Sequence, residues 1–231
     1  VKASVLERFS MLDTSVIYVQ PAARRPAGVR REALLTEADL KTIAKASGVE
    51  RVARVYKMNA VLKAGREEVP VLLIGVEPEE FFKMTSLELE SGVLIKRTDR
   101  ASAIVGYSIA HPEENKTLVK PGSRVVIEVA GYVGGKLRRR SMTLRVAGVL
   151  EEQGLALFLP LDTAVVVPYT TLLTLNPLKR RSIDFIMAKV ESIEHVDAAV
   201  EYLQEVYGDV MNVFSTKSLL ESIEEAFMTI E

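Results

Sequence analysis

The sequence predicts an α+β fold in which an α/β body is interrupted by a β-rich insertion. Three observations predict it. Apolar residues recur at helical spacing near both ends of the chain, and strand-like alternation dominates the middle. The order strand–helix–strand occurs twice, from about Val16 to Val61 and again from Ile183 to Phe214. Two such units commonly share one sheet in a ferredoxin-like arrangement. The expected division is residues 1–86 and 181–231 for the α/β part and residues 87–180 for the insertion.

Val16–Val19 is a β-branched and aromatic run that ends at Pro21 and reads as a strand. Ala22–Arg31 is a basic loop containing Pro and Gly. Thr36 then stands where an N-cap belongs, with Asp39 three residues on to suit the positive helix end. Leu40, Ile43 and Ala44 give that helix one apolar stripe, and Gly48 is its expected end. Val52–Leu62 and Val69–Val76, around Gly65-Arg66-Glu67-Glu68, predict a hairpin. Glu79–Met84 reads as a short helical turn, and Leu87–Gly92 as a connection.

From Val93 to about Leu175 the pattern is almost wholly β. Ala103–Gly106 is a short apolar run, and Lys120-Pro121-Gly122 is a turn signal. Val125, Ile127 and Val129 alternate along a strand. Gly131–Gly135 supports another turn, and Leu144, Val146 and Val149 begin a further strand. Phe158–Leu161 and Val165–Val167 are two more apolar pieces. Leu155–Leu175 is apolar enough to suggest a membrane span, but it contains Asp162, Pro160 and Pro168, so it reads as strand and turn. Ile183–Val190 is a strand. Ser192 caps a helix whose expected stripe is Val196, Val200, Leu203 and Val206, and Gly208 stops it. Val210–Phe214 is a strand, and Ser215 caps a last helix through Leu219, Leu220, Ile223 and Phe227.

Thirty basic residues face thirty-one acidic ones, a balance that lacks the basic bias of a nucleic-acid binder. The absence of cysteine excludes disulfides, Cys-type zinc sites and a thiol nucleophile. Three Gln and four Asn among many Glu, Lys and Arg fit a thermophilic source. Val1 in place of methionine, with no signal peptide, fits a piece of a longer or processed protein.

The candidate chemistry is sparse. Gly131-Tyr132-Val133-Gly134-Gly135-Lys136 has too few residues between its glycines for a phosphate loop, and Leu137 follows the lysine, so a hairpin turn is expected. Lys136 with Arg138-Arg139-Arg140, and Arg24, Arg25, Arg30 and Arg31, are basic runs. They suit anionic lipid heads, a partner's acids or plain solvent. His111 and His195 lack a second histidine at helical spacing, and no nucleophile-elbow pattern surrounds a serine. Asp13, Asp39, Asp99, Asp162, Asp184, Asp197 and Asp209 are scattered, without calcium-loop spacing. Asn115-Lys116-Thr117 fits the N-glycosylation acceptor pattern. No catalytic, cofactor-binding or metal-ligating residue is nominated, and an enzyme is not expected.

The ordered set of segments carries a resemblance. Ala103-Ile104-Val105-Gly106 is followed by the Pro121-Gly122 turn and the strand Arg124–Val129. Leu144-Arg145-Val146-Ala147-Gly148-Val149-Leu150-Glu151-Glu152 comes next, then Val165-Val166-Val167-Pro168-Tyr169-Thr170-Thr171. Together with the opening strand at Val16, the Asp39-Leu40-Lys41-Thr42-Ile43 helix and the strand at Val52, this series resembles the MacB-like periplasmic core domain of FtsX-like ABC-transporter permeases. The resemblance covers nearly the whole chain. It implies a porter-like α/β subdomain with an inserted sabre-like one, held outside the cytoplasm between two membrane helices. It also implies a cytoplasmic ATP-binding subunit, a second permease copy and transmission of ATP-driven motion, in export or in lipoprotein or peptide handling. From the basic runs and the charge balance, contact with the membrane surface is a further expectation and contact with nucleic acid is not. A receptor module for a peptide, lipid or solute is the alternative, and it would need an apolar pocket.

Overall fold

The protein is described here by a computed structural model covering residues 13–22, 34–154, 159–178 and 182–229, with the side chains of 223, 224 and 226–229 left aside. In chain order the elements are β1 (Val16–Pro21), α1 (Glu37–Ile43), β2 (Val49–Ala64), β3 (Glu67–Val76) and α2 (Pro78–Met84). Then come β4 (Leu89–Gly92), β5 (Ser102–Val105), α3 (Tyr107–Ala110), β6 (Arg124–Val133) and β7 (Lys136–Leu150). The last are β8 (Ala164–Pro168), α4 (Tyr169–Leu175), β9 (Phe185–Val190), α5 (Val196–Tyr207), β10 (Met211–Ser215) and α6 (Thr216–Thr229). Among the described residues no helix is long and apolar enough to cross a membrane.

The elements fall into two compact units. One takes the described residues up to Arg54, with Glu80–Ser86 and those from Ser182 onward. The other takes Val55–Glu79 and Leu87–Arg181. The division differs from the sequence expectation in one place. Most of the β2–β3 hairpin belongs with the β-rich unit, although it precedes residue 87. The reason is pairing: β3 lies beside β8 and β2 beside β6, both of them strands of that unit.

In the first unit the strand order is β10-β1-β9-β2, with β1 antiparallel to both of its neighbours. Val16, Ile17 and Val19 of β1, Ile186, Ala188 and Val190 of β9, and Val213 of β10 are buried. Helix α1 begins as its sequence signal requires. The Asp39 carboxylate accepts hydrogen bonds from the Thr36 backbone N–H at 2.7 Å and from the Thr36 hydroxyl at 2.9 Å. Its other oxygen accepts the Tyr207 hydroxyl at 3.0 Å, which ties α1 to the end of α5. Helix α1 stops at Ile43, five residues short of Gly48. Helix α5 buries Val196, Ala199 and Leu203, while Val206 of the expected stripe faces outward. Tyr18 stacks on its cross-strand partner Phe214, centroids 5.5 Å apart, and burial pushes its phenol up to about 12.

In the second unit β2, β3, β8, β5, β7 and β6 form a closed circuit, because β6 pairs with both β7 and β2. The closing seam is short: Val61↔Glu128, Leu62↔Ile127 and Lys63↔Val126. At the middle rung Leu62 and Ile127 are both fully buried, so the seam is apolar on one face. On the other face Lys63 Nζ lies 3.2 Å from Glu68 and 3.4 Å from Glu128, and Arg139 lies 3.6 Å from Glu128. This charge ladder crosses four strands in the manner of favourable cross-strand pairs. The circuit is mixed: β3–β8 and β5–β7 are parallel, and β2–β3, β2–β6, β5–β8 and β6–β7 are antiparallel. Every residue of β8 is buried.

Two further expectations in this region are corrected. Leu87–Gly92 is more than a connection, since Leu89–Gly92 forms edge strand β4 on β7. The stretch from Val93 to Leu175 contains helices at 107–110 and 169–175. Tyr169–Leu175 is helical despite its β-branched threonines, because Leu172 and Leu175 are buried along one side. The helix seats on β3 at Gly75, where a Cβ would come within 2.8 Å of Leu172 Cβ. Of the Phe158–Leu161 piece, Phe158 lies outside the described residues and Leu161 opens a 3-10 turn.

Two predictions follow from packing and charge. A Cβ on Gly106 would sit 2.0 Å from the Leu161 carbonyl oxygen and 2.4 Å from that of Asp162, both backbone atoms. Gly106→Ala is therefore expected to cost about 2 kcal/mol or more in urea unfolding, the range of overpacked cores. In the first unit, burial acts to raise the Asp13 carboxyl. It is outweighed by the Lys189 ammonium, hydrogen-bonded at 2.7 Å, and by Ser15, so the carboxyl lies below 3.8. A depressed folded value means this stabilisation is complete above 3.8 and is lost as pH falls through the folded value. Asp13→Asn should cost about 1 kcal/mol at neutral pH and flatten the fall in melting temperature below about pH 4.

Candidate functional surfaces

The residues with chemical potential resolve into structural roles. Gly134 and Gly135, with φ of 56° and 75°, make the two-residue turn between Val133 and its cross-strand partner Lys136. Lys136 opens a strand rather than a helix, so no helix N-terminus waits for phosphate there. His111 caps α3, lies 2.9 Å from Glu90 Oε2 and packs on Tyr107 with ring centroids 4.7 Å apart. His195 belongs to the other unit, with Nδ1 2.9 Å from the Ser192 hydroxyl and its side chain against Gly48.

Three further aspartates have structural partners. Asp99 accepts the Lys96 N–H, Asp162 accepts those of Gln153 and Gly154, and Asp197 pairs with Lys217. Among the described residues no group of His, Asp and Glu could hold a metal ion. Asn115 is exposed in the turn between Glu113 and Lys116. Arg24, Arg25, Arg30 and Arg31 lie outside the described residues.

Two exposed surfaces stand out once these are set aside. The first is the tip of the β6–β7 hairpin. Val129 is the last buried residue of β6, and Lys136–Ser141 are all exposed. Arg140 donates to the Thr174 carbonyl at 2.8 Å, and Gly131 lies against Pro177, so the stem is held where α4 ends. Beyond it, Tyr132 and Leu137 are cross-strand partners, 71% and 46% exposed, and Val133, Lys136 and Arg138 share the opposite side. From Val129 to Leu150 there are five cations and no carboxylate.

The second surface is the outward face of α5. Ala198, Glu201, Tyr202, Glu205 and Val206 share one arc of the helix, and Tyr202 and Val206 are 44% and 46% exposed. From Val190 to Thr216 there are six carboxylates and no Lys or Arg. Spacing alone assigned Val206 to the core and so missed this face. The signal that marks it is the missing cations together with the Tyr202/Val206 repeat.

Comparison with known proteins gives a consistent answer. The periplasmic region of MacB from Actinobacillus actinomycetemcomitans superposes with a TM-score of 0.65 at 18% identity, covering 96% of this chain and 98% of that one. The extracellular domain of the noncanonic ABC-type transporter YknZ from Gram-positive bacteria gives 0.62 at 18% identity, covering 87% of this chain and 100% of the other. These likenesses concern the fold. No curated protein matches the chain in sequence. The family described as the MacB-like periplasmic core domain matches residues 1–206, and the chain belongs to that family.

Proposed function

We propose that the chain is the extracytoplasmic domain of an ABC-transporter permease, a non-catalytic part held between two membrane helices. It relays motion generated by a cytoplasmic ATP-binding subunit. Family membership supports the transporter assignment. In this reading the first unit is the porter-like part, and its strand order β10-β1-β9-β2 supports a ferredoxin-like arrangement. The β-rich unit is the sabre-like part, and a second permease copy completes the transporter.

The observation that carries the mechanical reading is the adjacency of the incoming strand and the outgoing helix. Ile17 pairs with Ser215, and the Thr216 hydroxyl donates to the Val16 carbonyl at 3.4 Å. Force applied through either connection would reach the same β1–β10 ladder, whose hydrogen bonds must shift together. Ser215 and Thr216 are themselves buried, so this junction is packed. A relay also needs no reactive group, which suits side chains engaged in structural bonds.

The test uses the full-length permease in its membrane. The chain lacks cysteine, so in a permease whose cysteines elsewhere are replaced, Lys136→Cys gives one exposed thiol. It should react with a membrane-impermeant maleimide in intact cells; labelling only after lysis would overturn the extracytoplasmic assignment. Spin labels at Lys136 and Glu201, one in each unit, should change their separation when ATP is supplied. A distance distribution indifferent to ATP would overturn the relay.

A further inference from the structure

The hairpin tip and the outward face of α5 are opposites in charge and alike in construction. The tip carries Lys136 and Arg138 beside exposed Val133 on one side, with exposed Tyr132 and Leu137 on the other. The helix carries Glu201 and Glu205 beside exposed Tyr202 and Val206. Each is unfavourable by itself. Glu201 and Glu205 stand one turn apart, where like charges repel, and Lys136 and Arg138 share one side of the tip two residues apart. Each also leaves apolar area in water that a partner would remove. The nearest internal pairs do not neutralise the two surfaces: Arg139 turns to Glu128, Arg140 to the Thr174 carbonyl, and Lys217 to Asp197.

We propose that these surfaces dock on each other between two copies of the chain, the hairpin tip of one copy lying on the α5 face of the other. The occupant is a second copy because one chain carries both halves of the match. An unrelated acidic or basic partner would account for only one of them. The exposed apolar residues on the two facing sides, Val133 on the tip and Tyr202 with Val206 on the helix, supply the contact. Lys136 and Arg138 facing Glu201 and Glu205 supply orientation and a fast encounter. A tip of this size buries less than a standard interface, so the association is weak and strongly dependent on salt.

The test is a pair of charge-reversed variants of the chain, studied by sedimentation equilibrium. One is Lys136→Glu/Arg138→Glu and the other is Glu201→Lys/Glu205→Lys. All four positions are exposed, so both variants should keep the circular dichroism and melting temperature of the parent. The parent should self-associate at low salt and dissociate as salt rises. Each variant alone should bind itself at least about 10-fold more weakly, the scale of losing close charge pairs across an interface. Mixed in equal amounts, the two variants should associate again, because each then offers the charge the other now needs. A parent that stays monomeric at low salt and millimolar concentration would overturn the proposal. So would variants that associate like the parent, or a mixture that does not recover. A parent that binds anionic vesicles through the tip without pairing would assign the surface to lipid instead.

Discussion

The β-rich unit depends on one strand that is buried on all sides. Ala164–Pro168 enters between β3, which it meets in parallel, and β5, which it meets antiparallel, and none of its five residues reaches solvent. Its partners lie roughly ninety and sixty residues earlier in the chain, as Leu72↔Ala164 and Ile104↔Val166 show. Without it β3 and β5 have no common neighbour, and the six-strand circuit opens. The three-rung seam between β2 and β6 does the complementary work on the far side of the circuit. A closed circuit removes exposed strand edges, and it obtains that protection through contacts of long sequence separation, which form late in folding.

How much of this was legible in the sequence depended on range. The capping residues Thr36 and Asp39, the turn at Gly134-Gly135 and the β2–β3 hairpin all rest on neighbours a few residues apart, and the structure has them where local chemistry demands. Strand β4 was missed because Leu-Glu-Ser-Gly carries almost no β propensity, and only its ladder with β7 makes it a strand. Helix α4 was missed because threonines disguise it, while the buried Leu172 and Leu175 decide its form. In α5 two overlapping apolar stripes were present. Packing selected the one through Ala199, which spacing has no means to prefer over Val200.

The surfaces followed the same rule. The cationic run at Lys136–Arg140 was visible as a string of letters. Its association with exposed Tyr132 and Leu137 required the register that places them opposite each other. The acidic face of α5 was hidden because Val206 looked like core. Polar residues elsewhere are consumed locally, Asp39 by a cap and a tyrosine, Asp162 by two backbone amides, Asp13 by a lysine. These carboxylates are spent on the framework of the fold.

That framework is specified partly by what is missing. Where Gly106 passes the carbonyls of Leu161 and Asp162, and where Gly75 receives Leu172, a single methyl would collide. Drift in such a chain is policed by steric vacancy. At these two positions the silent hydrogens on an α-carbon are as intolerant of change as a nucleophile would be in an enzyme.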